Sequence, residues 1–248
     1  MATVGIRVFT VAIALSSAPL WAREIGSFDR TLSVNGPVDL TVETNSGGIT
    51  VRPGDGNTVR IHAVISANDW TDGGDAAQQA RDVESNPPIR QSGNSIRIEH
   101  LTESRGRQLS ITYEISAPTK THLSASTGSG GVHVSGLEDA VRARTGSGGV
   151  ELDSIKGSID ANTGSGSIRA NNVSGGMTGR TGSGGITIGL LASGGFDVRA
   201  RTGSGQVHVD PPMTVQGNLT SGHEVEGKIR GGGPLLDLAT GSGGVRIQ

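Results

Sequence analysis

Five arginines carry the most suggestive chemistry in this sequence. Arg142, Arg144, Arg180, Arg199 and Arg201 each stand one or three residues before a threonine of a recurring motif. Guanidinium forks pair well with oxyanions. Arginines stacked in this way, with Asp160 and Asn162 between them, would suit acidic glycan or phosphate groups. A solvated face that discourages edge association is the plainer reading of the same residues. Acid–base chemistry on a polysaccharide would need clustered carboxylates, or calcium carboxylates with a basic proton acceptor, on one face. Glu138, Asp139, Glu151, Asp153 and Asp160 are the acidic candidates. An ordinary solvated surface accounts for them more simply than a cation site or a catalytic pair.

Other reactive signatures fail on spacing. The six histidines, His62, His100, His122, His133, His208 and His223, are scattered, with no HExxH and no close pair to make a zinc site. The Gly-Ser-Gly-Gly stretches have no Lys-Ser/Thr after them, so they are not phosphate loops. They have no aspartate after the glycines, so they are not calcium-binding nonapeptides. Ser129 and its equivalents are repeated corner residues rather than a single nucleophile. No catalytic residue, cofactor or metal is expected.

The elements that position these residues come from a repeat. Thr-Gly-Ser-Gly followed by an alternating apolar stretch starts at Thr127, Thr145, Thr163 and Thr181, so each copy follows the last by 18 residues. Further copies start at Thr202 and Thr240, with a looser one at Thr44. Five and seven residues after each threonine lie apolar pairs such as Val132/Val134, Val150/Leu152 and Ile186/Ile188. Four and two residues before it lie Leu123/Ala125, Val141/Ala143, Ile159/Ala161 and their equivalents. A third apolar position is held by Leu137, Ile155, Val173 and Leu191. Strict alternation sends one side chain in and the next out, as in a strand. The outward column then reads His133, Glu151, Arg169, Thr187, His208, Arg246 along the sequence.

A fixed short period is the signature of a solenoid, whose repeats bury their apolar faces by stacking on one another. The expected fold is all-β: a right-handed parallel β-helix or β-solenoid with 18-residue coils and a β-rich N-terminal cap. The glycine corners are expected to supply positive φ angles. The threonine column is expected to satisfy its hydroxyls along the stack, since binding a lattice such as ice would need a second threonine column.

The chain divides into a signal peptide over 1–22, a β-rich cap with irregular coils over 23–121, and regular repeats over 122–248. Arg7, a short apolar run over 8–15 and Leu20-Trp21-Ala22 form the export signal. Strand-like stretches fall at 32–34, 38–42, 48–51, 58–64, 95–98 and 108–115, and one short helix at 75–83. After Thr202 the regularity degrades. The loop over 189–195 adds three residues, Pro211-Pro212 interrupts the pattern, and 220–227 fits it poorly. Loops of this kind are places where solenoids bind partners, and equally are neutral surface.

Aromatic content of 2% and 41 glycines suit a narrow core of Val, Ile, Leu and Ala. A net charge of -2 leaves no basic excess to neutralise nucleic acid phosphates or an anionic membrane. Absence of cysteine removes disulfides and a lipoprotein attachment site.

The strand–Ser-Gly-Gly–strand repeat, behind an export signal and a looser β-rich start ending in Ala117-Pro118, resembles the uncharacterised bacterial putative-adhesin family of β-solenoid domains. The resemblance covers about 28–248. It implies an exported β-solenoid associated with the cell envelope, periplasmic or at the cell surface, and brings no catalytic residues with it. The expected function is non-catalytic: binding or scaffolding towards an envelope protein or polysaccharide, without nucleic acid and without a membrane span in the mature chain. The alternative is a polysaccharide-active β-helix enzyme, a lyase or hydrolase.

Overall fold

A computed structural model describes residues 22–68, 73–102, 109–215 and 222–248. The export signal expected over 1–22 lies outside the described residues except for Ala22, where the first strand begins. The first part of the chain forms β1 (Ala22–Ser33), β2 (Val38–Thr44), β3 (Ile49–Pro53), β4 (Thr58–Asn68), the helix α1 (Gly73–Ser85), β5 (Ile89–Ser92), β6 (Ser95–Ile98) and β7 (Leu109–Ala117). The repeats follow as β8 (Thr121–Thr127), β9 (Val132–Ser135), β10 (Val141–Thr145), β11 (Val150–Asp153), β12 (Ile159–Thr163), β13 (Ile168–Val173), β14 (Met177–Thr181) and β15 (Ile186–Leu190). The last described strands are β16 (Phe196–Thr202), β17 (Val207–Val209), β18 (Met213–Val215), β19 (Glu224–Ile229), β20 (Leu235–Thr240) and β21 (Val245–Ile247).

These strands form two sheets that share one core, an all-β solenoid-like stack rich in parallel pairing. One sheet has ten strands in the order β1-β4-β7-β3-β9-β11-β13-β15-β21-β17. The other has eleven, in the order β18-β19-β16-β20-β14-β12-β10-β8-β2-β6-β5. Through the centre the register is regular: Val141 faces Leu123 and Ile159, and Val150 faces Val132 and Ile168. The alternating apolar pairs fill the space between the sheets. Leu123, Val132, Val141, Val150, Ile168 and Ile186 are all buried. Each such side chain stabilises the stack by about 1.5–3 kcal/mol relative to exposure.

The threonine column is buried between the sheets' corners, its members 4–8% exposed. The Thr163 hydroxyl donates to the Gly148 carbonyl at 2.8 Å and accepts the Gly166 N–H at 3.0 Å. Thr145 and Thr181 repeat this pair of bonds to their own neighbours. Each hydroxyl therefore ties one coil to the coil beneath it, as expected for a self-satisfying ladder.

The corner glycine of the first copy, Gly47, has the expected positive φ of 110°, but those of the regular repeats act differently. Gly130, Gly148, Gly166 and Gly184 are not in the left-handed region. They are glycine because the neighbouring coil comes too close: a Cβ on Gly166 would overlap the Gly148 carbonyl, and one on Gly148 the Gly130 carbonyl. In these repeats positive φ falls at the next corner instead, at Gly136 (65°), Ser154 (55°) and Asn172 (54°).

Two further expectations are corrected. Leu191 does not hold the third apolar position. A register shift between Ala170 and Val173 brings Leu190 opposite Val173, and Leu191 is 39% exposed. Nor do the coils all stack in chain order. The coil of β2 and β3 lies between the level of β6 and β7 and that of β8 and β9. The coil of β20 and β21 lies between β14–β15 and β16–β17. The loop over 189–195 is longer than its counterparts because it climbs past a skipped level.

Antiparallel pairing appears only where the stack must end among the described residues: β1–β4–β7 at one end, β16–β19–β18 at the other, and β5–β6 at an edge. The helix α1 packs on β1 through Ala76, Ala80 and Val83, and Ser27 N–H donates to Glu84 at 2.8 Å. These pieces shield the first coils' edges.

Candidate functional site

All five arginines project from the outer face of the eleven-stranded sheet, because alternation along β10, β14 and β16 sends their neighbours into the core. Register sorts them into two adjacent columns. One runs Ser124, Arg142, Asp160, Thr178, Asp237, Arg199, Glu226; the other runs Ser126, Arg144, Asn162, Arg180, Ala239, Arg201, Glu224. Arg144, Arg180 and Arg201 therefore recur at every second level, about 10 Å apart at the usual strand spacing.

Most of this charge is neutralised within the face. Asp160 takes Arg142 at 3.1 Å and Arg144 at 3.4 Å. Asp237 takes Arg180 at 2.9 Å, and Glu226 takes Arg199 at 3.0 Å. The Glu226 hydrogen bond and charge raise the Arg199 pKa, with Asp237 and Glu224 adding to it. Arg201 faces Glu224 and Ala239 in register and has no acid within 4 Å among the described residues. These are solvent-exposed pairs, each a weak contribution to stability.

The outer face of the ten-stranded sheet carries an unbroken polar column of its own. Reading across the strands it is Asp29, His62, Glu114, Thr50, His133, Glu151, Arg169, Thr187, Arg246, His208. The stacked order places Arg246 before His208, the reverse of their sequence order, because β21 lies inside β17. His62 pairs with Asp29 at 2.9 Å, His133 with Glu151 at 3.1 Å, and Arg169 approaches Glu151 at 3.7 Å. Beside it Arg60, Ser116 and Arg52 stand in register, as do Ser135, Asp153 and Asn171, and Arg52 and Ser135 line the same hollow.

Two concavities lie on this face and meet at Thr50 and Arg52. One, of about 310 Å³, is bounded by His62, Glu114 and Ser116. The other, of about 930 Å³, is bounded by His133, Glu151, Asp153, Arg169 and Asn171. Together they make a shallow groove that crosses the strands along the stack axis. The groove is lined with paired charges, hydroxyls and an amide.

The acidic candidates do not converge. Glu151 and Asp153 share the groove, whereas Asp160 stands on the other sheet between two arginines. Glu138 is bound to Lys156 at 2.7 Å, and that partner lowers its pKa. Asp139 accepts the Ala140 N–H and lies 3.8 Å from His122. Among the described residues no three His, Asp or Glu side chains are placed to hold a metal ion. Sequence reading put His133, Glu151 and Arg169 in one outward column and named Asp153 as an acidic candidate, but it did not bring Asp29, His62, Glu114 or Arg52 to them. Thr50 was legible, since it stands six residues after Thr44 as His133 does after Thr127; Asp29, His62 and Glu114 were not, because β1, β4 and β7 reach the groove only through antiparallel pairing and out-of-order stacking.

Residues 29–248 match a family model described as Toastrack DUF4097. Among curated proteins none matches the sequence. A solved structure of a putative cell adhesion protein from Clostridium sporogenes is similar in fold. It is 16% identical, its TM-score is 0.53, and the match covers 89% of this chain and 98% of that one. A putative adhesin from Bacteroides fragilis is 12% identical with a TM-score of 0.43, covering 90% of this chain and 97% of the other.

Proposed function

The chain belongs to the Toastrack DUF4097 family, and from that premise we propose a non-catalytic exported envelope protein that binds an extended polymer along its groove. The observation that carries this reading is the ten-residue polar column with its two joined concavities on one sheet face. Mixed donors and acceptors at each strand level suit a chain of hydroxyl- and amide-bearing sugars laid along the stack. The name of the Clostridium relative, a putative cell adhesion protein, and the export signal expected over 1–22 agree with an adhesin-like or scaffolding role outside the cytoplasm, periplasmic or at the cell surface. The coil is taken as right-handed with 18 residues per turn. Cross-coil hydrogen bonds such as Arg142–Asp160 and Lys156–Glu138 join residues 18 apart, and parallel crossovers strongly prefer that hand.

The arginine face is the second reading. Arg144, Arg180 and Arg201 in one column would take an acidic glycan, with Arg201 the member that has no carboxylate within 4 Å among the described residues. The enzyme alternative draws little support from acids that are split between two faces.

Retention of the purified protein on peptidoglycan, lipopolysaccharide, and neutral and acidic polysaccharides tests all three. The expected result is retention without shortened or unsaturated products. Retention should weaken about tenfold in Glu114→Ala/His133→Ala, as for loss of one to two polar contacts, and be unchanged in Arg144→Ala/Arg201→Ala. Retention lost only in the arginine variant would move the site to the other sheet. Release of products would overturn the non-catalytic reading.

A further inference from the structure

The end of the stack is built out of sequence order. After β15 the chain skips the adjacent level and lays β16 and β17 one level further out. It returns through β18 and β19 on the outer edge, with β19 antiparallel to β16. Residues 230–234 then cross the start of β16, and β20 and β21 fill the skipped level, parallel to strands on both sides.

This inserted coil is held by the same contacts that build the rest of the solenoid. Leu236, Leu238, Val245 and Ile247 are at most 1% exposed. Thr240 donates to the Gly184 carbonyl and Thr202 to the Gly243 carbonyl, each at 2.7 Å. Backbone bonds run from Gly241 N–H to Thr181 on one side and from Gly203 N–H to Thr240 on the other. None of these contacts involves residues 230–234.

The connection itself is a bent clip. Arg230, Gly231 and Gly232 have φ of 50°, 88° and 93°, a run that side chains bearing a Cβ reach only with strain. It wraps closely around the start of β16, where a Cβ on Gly195 would press on the Arg230 and Gly232 carbonyls. Straightened, five residues reach about 17 Å, more than three strand spacings.

We infer that the slot between the β14–β15 and β16–β17 levels accepts residues 235–248 of a second copy of this chain, two molecules exchanging coils by opening the clip at 230–234. The slot demands a threonine hydroxyl under the Gly184 carbonyl, a residue without Cβ at position 243, and two apolar pairs in register. Those demands are this sequence's own repeat, so the occupant is the same chain and not an unrelated peptide. Slot contacts are identical in the closed and exchanged forms, so clip conformation and protein concentration decide between them. The inference is independent of what the groove binds.

The absence of cysteine in the sequence makes the test clean. One full chain carries Thr178→Cys and another Asp237→Cys, positions that are register partners across the slot. The two are mixed at high concentration and oxidised. A control pairs Thr178→Cys with Ser124→Cys, three levels away on the same face. Exchange brings the 178 and 237 thiols of different molecules together. Disulfide-linked heterodimer should exceed the control by about tenfold, and should rise further in a Gly231→Ala/Gly232→Ala background, where the closed clip is disfavoured. Heterodimer at the control level overturns the inference. If the clip variant does not fold, the mixture with the natural clip decides alone.

Discussion

At the scale of single residues, the stack is held by two requirements that repeat at every level. A corner threonine must both donate and accept, and a corner glycine must leave room for a carbonyl. Thr163→Val keeps shape but strands the Gly148 carbonyl and the Gly166 N–H in a half-buried corner. The expected loss is about 1–3 kcal/mol of unfolding free energy, read by chemical denaturation, with Thr163→Ser retaining most of it. Gly166→Ala should be worse, at about 3 kcal/mol or more, because backbone cannot yield as a flexible side chain can. Gly56→Ala, where an added Cβ meets nothing within 4 Å, is the matched control and should be near neutral. Glu138 tests the electrostatics. Lys156 holds its carboxyl below the ordinary range, so the pair's contribution exists above the unfolded pKa and is lost as pH falls through the folded one. In Lys156→Met the Glu138 titration, followed by NMR, should move upward.

At the scale of elements, each strand has a buried row and an outer row, and the outer rows are organised by the levels above and below. Asp160 shows this: it lies on β12 yet serves two arginines of β10. Asp160→Asn should release Arg142 and Arg144 and raise retention on an acidic polysaccharide at low salt. The gain should vanish as ionic strength rises, since exposed charges are screened within about 10 Å at 0.1 M. The arginine pattern was legible before the fold was known, because alternation alone sends those side chains outward. Their neutralisation was not, because Asp237 reaches Arg180, and Glu226 reaches Arg199, only through the inserted coil and the antiparallel return of β19. Leu191 teaches the same lesson. It kept the period in sequence, but the shift after Ala170 gave its place to Leu190.

At the scale of the whole molecule, the two ends are finished differently. One end is covered by α1 and the β1–β4–β7 layer, with Phe28 set edge-on to the buried Tyr113 at 6.5 Å. At the other, β17 ends its sheet with Val207 and Val209 only half buried. Hydrogen exchange should therefore be slowest in β9 to β15 and fastest among the strands in β17, with β20 and β21 protected like the centre although they come last in the sequence. Fast exchange in β20 and β21 would mean that the inserted level is not a stable part of the stack.

The sequence by itself determined the periodic core, the outward and inward rows, the buried threonine ladder, the helix at α1 and the all-β class. These follow from local sterics and from alternation, which act within a few residues of one another. Only the tertiary structure decided which coil lies beside which, where the antiparallel ends form, and hence which polar residues meet in the groove. The repeats are so alike that their edges match any neighbour of the same pattern, so register alone leaves their order open. The long connections, the clip at 230–234 and the capping strands select one order from the many that local pattern permits.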